Sequence, residues 1–218
     1  MTEFSLSEFT CRAENIGSGK PALMLLFSGF ERELFSGVCG LLEQKECPPL
    51  VLAEFGEIDW DRDYSPWAAE GAQGRKFSGG ADRQLQCLPE FTAELERRFG
   101  EFSGTYLCGY SLGGLFALYA AAYEPGAYSG AVSCSGSMWF PGWTVFLQEH
   151  PLHGRVFLSL GGKEKNSPDP LMASVEDKTR EVKRLAERTA EVTFVNEPGG
   201  HFSRIPQRIA RGIIWLLK

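Results

Sequence analysis

Ser111 stands between two glycines in Leu107-Cys108-Gly109-Tyr110-Ser111-Leu112-Gly113-Gly114-Leu115, and His201 stands far along the chain in Pro198-Gly199-Gly200-His201-Phe202. A serine hydroxyl is a poor nucleophile near neutral pH, so it needs a base that takes its proton and returns it to the leaving group. An apolar run that stops at a glycine, offers one serine and restarts as an Ala-rich helix reads as a nucleophile elbow. In such a turn a strand reverses into a helix within about a residue, straining the serine and exposing its hydroxyl. Side chains at Gly109 and Gly113 would collide in so tight a turn. The helix that follows would aim its free N–H groups and positive dipole end at the serine, with the Leu112 N–H placed to donate to a developing oxyanion.

With 25 glycines in 218 residues, a Gly-x-Ser-x-Gly string arises readily by chance, so the flanks matter. Thr105-Tyr106-Leu107-Cys108 is β-prone and apolar, and Leu115-Phe116-Ala117-Leu118-Tyr119-Ala120-Ala121-Ala122 is helix-prone and apolar nearly all round. The competing reading is a glycine-rich turn whose serine caps a helix or binds a phosphate.

Of three histidines, His201 follows the last expected strand and the acid candidates, giving the chain order serine, acid, histidine. His150 and His153 lie in a proline-bracketed polar segment and are expected at the surface. Glu164, three residues past the end of a strand, is the first choice for an acid that orients the imidazole. Asp169, Glu176, Asp177 and Glu197 are its rivals, each also readable as a solvated surface acid, and a Ser/His pair working without an acid is the remaining alternative. A second oxyanion donor is expected from the loop after the first central strand, from the N–H of Phe30 or of Gly29. Three tryptophans in aromatic loops, Trp67, Trp139 and Trp143, are expected to wall an acyl or aryl pocket.

The elements that must hold these residues alternate. Strands are expected over 22–27, 50–53, 105–108, 128–134, 155–160 and 191–195, and helices over 34–46, 81–99, 115–122, 171–188 and 205–217. An opening edge strand is expected over 4–11. The helix over 81–99 has Leu85, Leu88, Phe91, Leu95 and Phe99 at helical spacing and ends at Gly100. Strand and helix in alternation imply an α/β fold with a mostly parallel central sheet covered on both faces, in one domain over 1–218 without a large cap. Asp59, Asp61 and Asp63 suggest a metal loop, but the glycine and distal glutamate of a calcium loop are missing, so solvated acids are expected and no metal or cofactor.

A formal charge of −6 without a basic cluster speaks against nucleic acid or an anionic membrane as the main partner. The acidic N-terminus lacks a secretory pattern, no stretch has the roughly 20 apolar residues of a membrane span, and six scattered cysteines show no metal spacing. A soluble cytoplasmic protein with free thiols is expected, and a homo-oligomer is left open.

Gly109-Tyr110-Ser111-Leu112-Gly113-Gly114 with Leu115-Phe116-Ala117-Leu118, Asp63-Tyr64-Ser65-Pro66-Trp67, Phe77-Ser78-Gly79-Gly80-Ala81-Asp82 and Gly199-Gly200-His201-Phe202 resemble the putative esterase family. This is the branch of the α/β-hydrolase superfamily that contains esterase D, enterochelin esterases and feruloyl esterase domains. The resemblance implies hydrolysis of a small-molecule carboxylic ester through an acyl-enzyme, without metal or cofactor. It casts Ser111 as nucleophile and His201 as base, and its acid position, after the penultimate strand, falls on Glu164 in Gly161-Gly162-Lys163-Glu164. Two alternatives remain: a thioesterase, for example one acting on S-acylglutathione, and a non-catalytic α/β-hydrolase scaffold.

Overall fold

The six residues Ala22–Phe27 are buried at every position, Leu23, Leu25 and Phe27 in one core and Ala22, Met24 and Leu26 in another. A strand whose side chains alternate between two apolar cores must lie inside a sheet covered on both faces. The computed structural model describes residues 1–7, 9–29 and 31–218. In chain order it contains β1 (Thr2–Leu6), β2 (Phe9–Ile16), β3 (Ala22–Phe27), α1 (Arg32–Gln44), β4 (Leu50–Phe55), α2 (Trp60–Asp63), β5 (Ala68–Glu70) and β6 (Lys76–Ser78). There follow α3 (Ala81–Phe99), β7 (Thr105–Tyr110), α4 (Leu112–Tyr123), β8 (Gly130–Cys134), α5 (Trp143–Glu149), β9 (Gly154–Gly161), α6 (Pro170–Ala173), α7 (Val175–Ala186), β10 (Ala190–Glu197) and α8 (Ile205–Leu217).

Eight strands form the main sheet in the order β1-β2-β4-β3-β7-β8-β9-β10, while β5 and β6 pair separately. From β4 to β10 all neighbours run parallel, and only β1 and β2 run against their neighbours. The opening segment is thus a hairpin, with Phe4 opposite Cys11, where the sequence suggests a single edge strand. Helices α3, α4, α5 and α7 pack on one face, and α1 and α8 on the other. Because α4 lies against the sheet and is covered in turn by aromatic neighbours, ten of its twelve residues are buried. Parallel strands all end at the same edge of a sheet, so the loops after β3, β7, β9 and β10 converge there.

Asp63 departs from expectation: it is fully buried, accepting from the Asp59 N–H at 2.9 Å and from the Arg62 guanidinium at 2.7 and 2.9 Å. It ties the loop after β4 together instead of facing solvent. All six cysteines are free, and Cys108 and Cys134 are core residues. Among the described residues no helix is long and apolar enough to cross a membrane.

Candidate active site

β7 ends at Tyr110 and α4 begins at Leu112, so Ser111 alone makes the turn, with φ 56 and ψ −122. That conformation is costly for a residue with a side chain and persists only where the surroundings enforce it. Here they do. A Cβ at Gly109 would run into the Gly113 carbonyl, and one at Gly113 into the carbonyl of Phe27 at the end of β3. The Ser111 N–H donates to the Cys134 carbonyl at 3.0 Å, and its own carbonyl accepts from Ser137 and Leu115, both at 3.1 Å. The first N–H groups of a helix have no acceptor within it, and that of Leu112 opens α4 beside the serine.

His201 arrives on the loop between β10 and α8. Its carbonyl accepts from the Tyr110 hydroxyl, so the residue before the serine also anchors the histidine. Its Nε2 lies 3.1 Å from Ser111 Oγ and its Nδ1 2.7 Å from Glu164 Oε2. The network assigns the proton to Nδ1, which leaves Nε2 to accept from the serine hydroxyl. The loops after β9 and β10 are joined by the Gly162 N–H to the Glu197 carbonyl at 2.8 Å and the Lys163 N–H to the Gly199 carbonyl at 3.0 Å.

The Glu164 side chain is only 5% exposed. Its Oε1 accepts from the Ser135 hydroxyl at 2.5 Å and from the Gly161 N–H at 2.6 Å. Burial alone would raise its carboxyl, but hydrogen bonds from His201 and Ser135, the His201 charge and the Gly161 N–H outweigh it and hold Glu164 below the ordinary glutamate value.

The rival acids serve elsewhere. Asp169 caps α6, accepting from the Met172 N–H at 3.0 Å, Glu176 pairs with Lys165 and Arg180, and Glu197 pairs with Arg211. Asp177 lies in the first turn of α7. His153 is exposed as expected, but His150 is half-buried, stacked on Phe146 at 4.2 Å. Gly29 takes φ +84 beneath the Trp60 ring, whereas Phe30 lies outside the described residues.

A cavity of about 470 Å³ opens over Ser111 and His201, walled by Trp60, Phe77, Trp139 and Phe202, with Arg75 and Lys163 among its polar lining. Trp139 is therefore at the cavity. Trp67 and Trp143 are not: the Trp67 indole donates to the Pro141 carbonyl at 2.9 Å among Phe140 and Phe146, and Trp143 is fully buried at the start of α5. Sequence reasoning did not assign Trp60, Phe77 or Phe202 to the pocket, although each stands in a segment singled out for other reasons. Among the described residues no cluster of His, Cys, Asp and Glu is placed to hold a metal ion.

A mostly parallel sheet with a serine at a glycine-locked strand-to-helix turn defines an α/β-hydrolase. Within that class the chain belongs to the family described as Putative esterase, whose model matches residues 28–202. Two relatives align over part of their length. YbbA, an uncharacterized protein of Bacillus subtilis, is 28% identical over 162 residues, covering 68% of this chain and 65% of that one. The siderophore enterobactin esterase of Emericella nidulans is 29% identical over 158 residues, covering 63% of this chain and 48% of that one. The chain thus spans about half to two thirds of these relatives. Among solved structures, the siderophore hydrolase EstA of Aspergillus nidulans shares the fold with a TM-score of 0.77 at 19% identity, over 99% of this chain and 92% of that one.

Proposed function

We propose that this protein is a serine esterase in which Ser111, His201 and Glu164 act as a triad. The observation that carries the reading is the unbroken chain of contacts, 2.7 Å from Glu164 to His201 and 3.1 Å from His201 to Ser111, at a turn whose backbone exposes the serine. Ser111 Oγ attacks the ester carbonyl as His201 Nε2 takes its proton, and the Leu112 N–H, with a donor from the loop after β3, receives the oxyanion. His201 gives the proton to the departing alcohol. It then activates water, which releases the acid from Ser111.

Aromatic walls and the cation Lys163, with Arg75 beside it held in an ion pair with Asp61, suit an ester that carries aromatic groups and negative charge. Together with the names of the relatives, this leads us to propose a siderophore-type ester as substrate. Six free thiols fit a reducing compartment, and we place the reaction in the cytoplasm.

The test is hydrolysis of p-nitrophenyl esters from acetyl to octanoyl, and of a catecholate trilactone, by wild type, Ser111→Ala and His201→Ala. Both variants are expected to lose about a thousandfold or more in kcat. Equal rates in all three proteins would overturn the reading.

A further inference from the structure

Arg208, in the first turns of α8, is 1% exposed. Burying a guanidinium is expensive unless it is paired and hydrogen-bonded. Its Nη2 donates to the Ser135 hydroxyl, which donates in turn to Glu164 Oε1. A second contact from Nη2 reaches Ser159 Oγ at 3.5 Å. Glu164 is the carboxylate within ion-pair reach of it among the described residues, at 3.8 Å, and Arg208 Nε and Nη1 have no hydrogen-bond partner there. Ser135 itself takes φ 47, a left-handed conformation that a serine adopts only under constraint. The turn after β8 is thus bent to hold one hydroxyl between an arginine and the acid that faces His201.

We propose that Arg208 and Ser135 are positioning residues of the esterase reaction: Ser135 fixes the Glu164 carboxylate, and the Arg208 charge offsets the hold of that carboxylate on the His201 proton. This rests on the triad reading above. A carboxylate stabilises imidazolium, and a cation behind the carboxylate, on the side away from the ring, opposes that stabilisation. The Arg208 charge is therefore expected to be read in the acid limb of the activity profile, where the free base is required. α8 carries Arg208 seven residues after His201, so a single helix start sets both ends of the chain of contacts.

Other groups face this cluster. Glu197, paired with Arg211, and the Cys134 thiol lie near Arg208, and Tyr110 feels the charges of both Arg208 and Glu164. Lys163 stands on the cavity wall, and Lys165 is paired with Glu176. Burial pushes the Cys134 thiol up to about 11 and the Tyr110 phenol well above its ordinary value, so both stay uncharged near neutral pH. Without Arg208, Glu164 keeps His201, Ser135 and the Gly161 N–H as donors and stays ionised.

The experiment is the pH profile of kcat/KM, with melting temperature recorded, for wild type, Arg208→Met, Arg208→Lys and Ser135→Gly. Arg208→Met is expected to move the acid limb upward by about half a unit to one unit, and Arg208→Lys, which keeps the charge, to restore the wild-type limb. Ser135→Gly relieves the left-handed strain while deleting the hydroxyl, and is expected to lower kcat about tenfold to a hundredfold at unchanged KM. An acid limb in Arg208→Met that stays in place or moves down overturns the inference, as does a kcat loss that only follows the fall in melting temperature. If Arg208→Met does not fold, Arg208→Lys and Ser135→Gly still decide: full activity in Ser135→Gly, or a displaced limb in Arg208→Lys, overturns it. Failure of the triad reading shows separately, as turnover that survives Ser111→Ala.

Discussion

Two carboxylates are buried near the carboxyl edge of the sheet, Glu54 within β4 and Glu164 just after β9, and each is met by a serine and an arginine. Ser28 donates to Glu54 at 2.8 Å and Arg12 Nε lies 3.3 Å from it. Ser135 donates to Glu164 at 2.5 Å and Arg208 lies 3.8 Å away. The outcomes are opposite. Burial pushes Glu54 up to about 7, against the pull of Ser28 and Arg12, whereas the same penalty on Glu164 is outweighed by its hydrogen bonds and it stays below the ordinary value. The difference lies in the donors: Glu164 has, besides its serine, the His201 ring and the Gly161 N–H. Burial makes a carboxylate weaker as an anion, and added donors make it a dependable one. Only a dependable anion can hold an imidazolium.

The largest effect expected from this contrast is on turnover. Glu164→Gln keeps the shape but loses the charge and the preference for the proton on Nδ1, so kcat should fall by roughly 10² to 10⁴. Glu54→Gln makes the equivalent change at the other nest, where no catalytic group is in contact, and kcat should stay within a few-fold. Steady-state kinetics of the two variants on one ester decide it. Comparable losses in both would break the contrast.

Next in size is the pH dependence of stability, for which the two groups carry opposite signs. Glu164 has a folded value below its unfolded one, so its contribution is complete above the unfolded value and is lost as pH falls through the folded value. Glu54 has a folded value of about 7 against an ordinary 4.5, so the folded protein binds the extra proton between them. Its contribution is therefore complete below 4.5 and is lost as pH rises through 7, by roughly 3 kcal/mol. Urea unfolding from pH 4 to 8 should show this decline in wild type and in Glu164→Gln, and a flatter curve in Glu54→Gln. A decline that persists in Glu54→Gln would place its source elsewhere.

What could be read from the chain beforehand follows the same division between steric and tertiary causes. The elbow was legible because Gly109 and Gly113 answer to contacts within a few residues or with the adjacent strand, and α3 because five apolar residues at helical spacing end at a glycine. The opening hairpin was not, because alternation runs across Ser7, whose positive φ is invisible to pattern. Residues 171–188 read as one helix, but Asp169 caps a separate α6 and α7 begins after Ser174. Trp139 and Trp143 stand four residues apart in one aromatic stretch, yet one faces the cavity and the other the core, since composition does not say which way a loop turns. Arg208 is the extreme case: an arginine in an amphipathic helix reads as solvent-facing, and only the packing of α8 on β8 and β9 reveals that it is buried.

The smallest expected effect tests whether the two nests are independent. Ser28 is 6% exposed and donates a hydrogen bond to Glu54, so Ser28→Ala removes a donor and lets Glu54 hold its own proton more tightly. The pH window over which stability declines should then extend above 7. The lost hydrogen bond should cost about 1 kcal/mol, a fall of roughly 2 to 4 °C in Tm for a chain of this size. Because Glu54 does not touch His201, the acid limb of kcat/KM should stay where it is, in contrast to Arg208→Met. Ser28 precedes Gly29 at the end of β3, so kcat is the quantity open to a modest change through that loop, and the limb is the one that must not move. An acid limb displaced by Ser28→Ala would mean that the field of Glu54 reaches the imidazole, and the two carboxylates would have to be treated as one coupled system.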